Sequence, residues 1–336
     1  MYEKFFCFKD KPFNVTPNPK FFFPSSKHTE ALNSLIYAIE ERKGFVVITG
    51  EIGAGKTTVT RAVLKKLDAG TKVALITNTH MSAKELISQI LEEFEIARIS
   101  GSKQKMLSQL NDYLIKQLSQ NINVVLMIDE AQNLSHNVLE EVRMLSNLET
   151  ETDKLLQIIL IGQPELKKKL GHKTLEQFRQ RIALHYHISP LTQDETTAYI
   201  LHRLSLVSSN GHAEIFQPQA IDLIFRHSRG VPRVINLICD SALLSGYIAD
   251  TKTINEGMVL EVIKDRELME EQNGLSGISL LAVRKIHCCT RCLHYNDCGL
   301  KWERGTKGEE QFCCNSCYNY LACLQNPDAT KQAKTL

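Results

Sequence analysis

Five short apolar runs recur along the chain: FVVIT (45–49), VALIT (73–77), VVLMI (124–128), IILI (158–161) and LHYHI (184–188). Each has strand length and is rich in β-branched or aromatic residues. The stretches between them carry apolar residues three and four apart, as in AKELISQILEEF (83–94) and KMLSQLNDYLIKQL (105–118), and these predict amphipathic helices. Strands alternating with helices predict an α/β fold, a five-stranded parallel sheet with helices on both faces.

After Pro190 the strand signal stops. TQDETTAYILHRLSLV opens on Thr192 with Glu195 three positions later, the spacing of a capping box. Residues 218–229 and 233–248 predict two further helices, and INEGMVLEVIKDRELMEEQ can supply another. The expected organisation is an N-terminal segment (1–30), an α/β domain (31–189), a helical domain (190–270), a linker around NGLSGIS (271–285), a cysteine-rich unit (286–325) and a tail (326–336). The N-terminal segment is aromatic and proline-rich (PFNVTPNPKFFF), and two readings of it stand: packing on the core, or a cover beside a bound nucleotide base.

The chemistry gathers where strands end. GEIGAGKT (50–57) has the Walker A spacing and sits between a strand-like run and a helix-like one. Its backbone N–H groups can turn inward around phosphates along Gly50, Glu51, Ile52, Gly53, Ala54, Gly55, Lys56, Thr57 and Thr58. Lys56 can reach the β- and γ-phosphates of ATP, and Thr57 can ligate Mg²⁺. In VVLMIDEAQ, Asp129 ends a strand and is placed to hold the Mg²⁺ shell, while Glu130 can polarise the attacking water. Gln163, in GQPEL after the fourth run, can contact the γ-phosphate or that water. Arg179 and Arg181 precede the last strand, and Arg181 is the preferred candidate to reach a neighbouring subunit's γ-phosphate. Arg233 falls in the first turn of a predicted helix, where the helix dipole disfavours a cation unless an anion is close.

Composition adds limits. The chain has 336 residues, 43% apolar, with formal net charge +2, so global charge selects no partner. No run is long and apolar enough for a transmembrane helix, and the N-terminus lacks the unbroken apolar stretch of a signal peptide. The expectation is a cytoplasmic protein, with contact to the inner face of a membrane through a partner left open. Cys7 and Cys239 stand alone and read as small apolar side chains.

Together these motifs resemble the AAA+ ATPases. More narrowly, MYEKFFCFKDKPFNVTPNPKFFF, His28 with Ala31 and Leu32, GEIGAGKTT, IDEAQNL, LIGQPEL, FRQRI and GVPRVINLICDSAL resemble the ExeA/GspA family of secretion-associated ATPases. TniB-type transposition ATPases are similar. The resemblance implies a P-loop AAA+ fold with a helical lid. It implies ATP hydrolysis with Mg²⁺, and Lys56, Thr57 and Asp129 at nucleotide and metal. Glu130 becomes the catalytic glutamate, Gln163 sensor one, Arg233 sensor two, and Arg181 or Arg179 the arginine finger. It also implies a nucleotide-dependent homo-oligomer working on secretion, pilus or exopolysaccharide machinery, or, in the transposition-like alternative, on double-stranded DNA.

The remaining eight cysteines cluster late in the chain, where CTRC (289–292) and CNSC (314–317) form two CxxC pairs. Four thiolates at Cys289, Cys292, Cys314 and Cys317 suit a tetrahedral Zn²⁺ site, with Cys288 and Cys313 as alternatives to their neighbours. With Trp302, Arg304, Gly305 and Gly308 the unit resembles a GATA-type zinc finger. Residues 284–307 carry six basic side chains against two acidic ones, so both duplex DNA and a protein stand as partners.

Overall fold

The computed structural model describes residues 1–272 apart from positions 17, 69, 97–100, 152 and 209–214. The cysteine-rich unit, the linker and the tail lie outside the described residues. Residues 1–262 form one compact unit, and a second begins at Ile263.

The strands are β1 (Phe45–Gly50), β2 (Thr71–Ile76), β3 (Asn123–Ile128), β4 (Gln157–Gly162) and β5 (Ile182–Ile188). The helices are α1 (Tyr2–Phe5), α2 (Ser26–Glu40), α3 (Lys56–Lys66), α4 (Ala83–Glu93), α5 (Lys103–Ser119), α6 (His136–Leu145), α7 (Pro164–Leu170), α8 (Glu176–Arg179), α9 (Gln193–Val207), α10 (Pro218–Ser228), α11 (Pro232–Ile248) and α12 (Glu256–Gln272). All five runs read as strands from the sequence are strands, and all pair in parallel in the order β2-β3-β4-β1-β5.

That order follows from burial. β1 and β4 are buried at every position, as central strands covered on both faces must be. β5 alternates between half-buried and exposed positions, the pattern of an edge strand. Along β1, Phe45 and Val47 join one core with Leu86 and Ile90 of α4, Leu110 and Leu114 of α5, Val142 of α6 and Phe178 of α8. The intervening Val46 and Ile48 join the opposite core, with Leu35 and Ile39 of α2 and Val59 and Val63 of α3. The period of two thus feeds two helical layers.

The carboxyl ends of β1, β4 and β3 are therefore neighbours. The sheet reverses its winding beside β1, because β4 and β5 flank it on opposite sides. Crevices outside strand carboxyl ends at such a reversal are where open α/β sheets take ligands.

The helices after β5 pack around buried Ile200, Leu204, Ile224, Ile235, Ile238 and Cys239. The capping box at Thr192 and Glu195 is formed, and Glu195 also accepts from the backbone N and Oγ of Ser26, at 3.1 and 2.9 Å. One carboxylate so ties the start of α9 to the start of α2. Of the two lone cysteines read as small apolar side chains, Cys239 is buried, whereas Cys7 is exposed in a left-handed turn at φ 57°. Among the described residues no helix is long and apolar enough to cross a membrane.

Candidate functional site

The loop leaving β1 enters α3 with Gly53 at φ +78° and Gly55 at φ +95°, both in the left-handed region that favours glycine. Space demands glycine as well. A Cβ at Gly53 would lie 2.6 Å from the Cβ of Arg233, and one at Gly55 would lie 2.7 Å from Nε2 of His28. The loop is thus held from two sides by side chains remote in sequence.

His28 is buried, and its Nε2 stands 2.9 Å from the carbonyl oxygen of Ala54 while Nδ1 stands 2.7 Å from Oγ of Ser25. A carbonyl only accepts, so Nε2 carries the proton and Nδ1 accepts from the Ser25 hydroxyl. This is the neutral ring, and burial holds its pKa below the ordinary 6.5. On the other side, the backbone N–H of Arg233, in the first turn of α11, donates to the carbonyl of Gly53 at 3.3 Å.

Lys56 is 7% exposed, and its ammonium donates to the carbonyls of Gly50 and Glu51 at 2.8 and 3.0 Å. Burial pulls its pKa down against the opposing pull of Glu130, Asp129 and Glu51. Thr57 Oγ1 donates to Asp129 Oδ2 at 3.2 Å. Burial pushes the Asp129 carboxyl up, although the N–H of Glu130 and the Thr57 hydroxyl both bond to it. Desolvation therefore works against both charges, and a divalent cation or a polyphosphate in their place favours the charged forms.

Glu130 adopts φ 52°, ψ 35°, a left-handed conformation costly for a residue with a side chain. Its Oε2 accepts from Gln132 Nε2 at 2.6 Å and from Gln163 Nε2 at 3.3 Å, while Gln132 Oε1 accepts from the N–H of Gln163 at 3.0 Å. Gln132 is thus the bridge that holds the ends of β3 and β4 in one polar network. Sequence reading passed over it, and its only local signal was its place two residues after Glu130.

A cavity of about 440 Å³ opens over this loop. Ile52, Gly53, Gly55, Lys56, Thr57, Thr58, Glu130, Gln163 and Arg233 line it, with Asp129 directly behind Thr57. Its far wall comes from Asn14 to Thr16 and Phe21 to Phe23 of the N-terminal segment, and from Tyr199, Arg203 and Asn236 of α9 and α11. Arg181 is not part of the lining. It is exposed and donates to Ser146 Oγ at 2.7 Å and to Asn147. Arg179 is also exposed, at the end of α8.

Residues 39–170 match the family described as AAA domain. The chain carries an AAA+ ATPase domain. It is 41% identical over 258 residues to general secretion pathway protein A of Aeromonas hydrophila, a match covering 76% of this chain and 47% of that protein. The chain so spans about half the length of this curated relative. Solved structures share the fold at lower identity. The Aeropyrum pernix ORC2 protein in its ADPNP–ADP complexes is 14% identical, with TM-score 0.58, over 82% of this chain and 76% of that one. Cdc6p from Pyrobaculum aerophilum is 17% identical, with TM-score 0.58, over 95% and 85%. A chain of Drosophila ORC bound to DNA is 17% identical, with TM-score 0.60, over 80% and 68%. The AAA+ architecture with its parallel sheet is the fold these proteins have in common.

The His28 geometry yields a pH prediction. The unfolded chain protonates this ring near pH 6.5 and the folded chain only lower, so its contribution is fully present above 6.5 and is lost as pH falls below that value. His28→Ala removes a buried partner of Ala54 and Ser25 and is expected to cost about 1–3 kcal/mol at neutral pH. Urea unfolding from pH 7.5 down to 5 should show the gap between wild type and variant narrowing towards acid; parallel curves would refute the neutral-ring assignment.

Proposed function

We propose that the chain binds MgATP in this cavity, hydrolyses it, and uses the cycle to assemble or remodel a secretion-related machine. The observation that carries the reading is the convergence of Lys56, the Thr57–Asp129 pair and the Glu130–Gln132–Gln163 network on one cavity. Mg²⁺, a hard cation that takes oxygen ligands, fits the Thr57 hydroxyl and the Asp129 carboxylate. Bound there, it would neutralise charge on the phosphates as the terminal bond breaks. Glu130 orients and polarises water, and the amides of Gln132 and Gln163 hold its carboxylate in place. Lys56 exchanges its loop carbonyls for phosphate oxygens. Arg233, joined to the phosphate loop through the Gly53 carbonyl, carries the state of the site into α11.

Arg181, or Arg179 beside it, is the group offered to the site of a second copy, in a homo-oligomer formed with nucleotide. The 41% identity to general secretion pathway protein A supports a protein partner in an envelope-assembly system, with the chain on the cytoplasmic side. The two CxxC pairs, Cys289 with Cys292 and Cys314 with Cys317, serve as a Zn²⁺ site on the strength of their spacing. Among the described residues no group of three or more His, Cys, Asp and Glu could hold a metal, so bound zinc would report on that unit.

Lys56→Ala is expected to abolish tight MgATP binding and turnover, whereas Glu130→Gln keeps binding and slows hydrolysis by roughly 10²-fold or more. Calorimetric binding beside phosphate release separates the two, and normal turnover in Lys56→Ala would remove the site assignment. Elemental analysis of the purified full chain should find about one zinc per chain, lost when Cys289 and Cys314 are both changed to serine. Folded protein without metal would defeat the zinc claim.

A further inference from the structure

One side chain in the cavity has no part in the phosphate chemistry. Arg203, in α9, is only 4% exposed, and no ion pair is formed with it among the described residues. Its Nη1 donates to Tyr199 Oη at 2.8 Å, its Nη2 stands 3.5 Å from the carbonyl of Asn14, and its Nε has no hydrogen-bond partner. Aromatic rings surround the guanidinium, with centroids 4.8 Å away at Phe21, 5.5 Å at Tyr199 and 6.0 Å at Phe13. A guanidinium offers five N–H donors, and here two are engaged, one of them at the limit of hydrogen-bond length. Cation–π contacts offset part of the cost of burying the charge, but they satisfy no donor.

Arg203 lines the cavity, and its place on the wall says which part of a ligand it meets. Arg233 and Asn236 lie about one turn apart on α11, roughly 5 Å along the axis. The first touches the phosphate loop through Gly53, and the second accepts a hydrogen bond from Tyr199 Oη at 2.8 Å. The Tyr199–Arg203 pair therefore stands a turn further from the phosphates, at the wall formed by the N-terminal aromatic residues. A planar heterocycle with ring-nitrogen or carbonyl acceptors suits such a wall, because its faces meet aromatic rings and its edge meets donors.

We propose that Arg203 is the base-selecting residue of the site: its guanidinium donates to an acceptor on the edge of the nucleotide base. The proposal rests on the nucleotide-binding reading above and adds to it the residue that reads the nucleoside. Tyr199, anchored by Asn236, is a positioning residue that fixes the guanidinium plane.

The test uses the full chain and three probes with Mg²⁺: ATP, ribose 5-triphosphate and inorganic tripolyphosphate. Affinities are measured by calorimetry for wild type, Arg203→Met, Arg203→Lys and Lys56→Ala. Arg203→Met should lose about tenfold or more in ATP affinity, the scale of one charge-assisted hydrogen bond, and keep its affinity for the other two probes. Arg203→Lys, which keeps the charge, covers the case where methionine does not fold, and should show the same selective loss in smaller measure. Equal losses on ATP and ribose triphosphate would place the contact on the sugar and overturn base selection. Equal losses on all three, or no loss on ATP, would reduce Arg203 to a packing role. Lys56→Ala should weaken all three probes; if it weakens none, the nucleotide site itself fails, an outcome distinct from failure of the Arg203 proposal.

Discussion

The hydrogen bond from the Arg233 N–H to the Gly53 carbonyl, 3.3 Å long, joins two stretches of chain remote in sequence. It fastens the first turn of α11 to the middle of the phosphate loop, and the loop tolerates that closeness only because Gly53 has no Cβ. His28 closes the other side in the same way at Gly55. The loop backbone is hydrogen-bonded to α11 through Gly53 and to α2 through Ala54. Glu195, at the start of α9, accepts from Ser26 at the start of α2 and so ties α2 to a second helix that follows the sheet. The phosphate loop is thereby a mechanical junction as well as a ligand cradle.

The electrostatics point the same way. Burial disfavours the ammonium of Lys56 and the carboxylate of Asp129, although each has nearby groups that favour its charge. A ligand bringing a cation and phosphate oxygens reduces both penalties at once. The free energy released is available to hold the layers in the ligand-bound arrangement, since a ligand shifts a structure only by its differential affinity for the two states.

Much of this was legible in the sequence, for definite reasons. β1, β3 and β4 stand out because strands covered on both faces must be apolar throughout. α9 announces its start because a capping box, here Thr192 to Glu195, is a four-residue signal. Lys56, Thr57, Asp129 and Glu130 lie in two short motifs at the ends of β1 and β3, whose spacing is readable without the fold. The rest depends on contacts without local signature. Tyr2 bonds to Asp240, Lys9 N–H donates to the Val207 carbonyl, and Phe13 packs edge-on against Phe216. These contacts bind the N-terminal segment to the later helices and so turn its aromatic residues into a cavity wall. Arg203 looks in sequence like one charge on an amphipathic helix, and only the docking of Phe13 and Phe21 against it makes it a buried cation. Gln132 likewise gains its place only when β3 and β4 pair.

Nucleotide binding in this cavity is expected to engage the phosphate loop, the N-terminal segment and the start of α11 together. Hydrogen–deuterium exchange of the full chain, with and without Mg²⁺ and a non-hydrolysable ATP analogue, tests it directly. Exchange should slow in residues 50–57, 14–23 and 232–236 at the same nucleotide concentration. Protection confined to 50–57, with the other two segments unchanged at saturation, would contradict it.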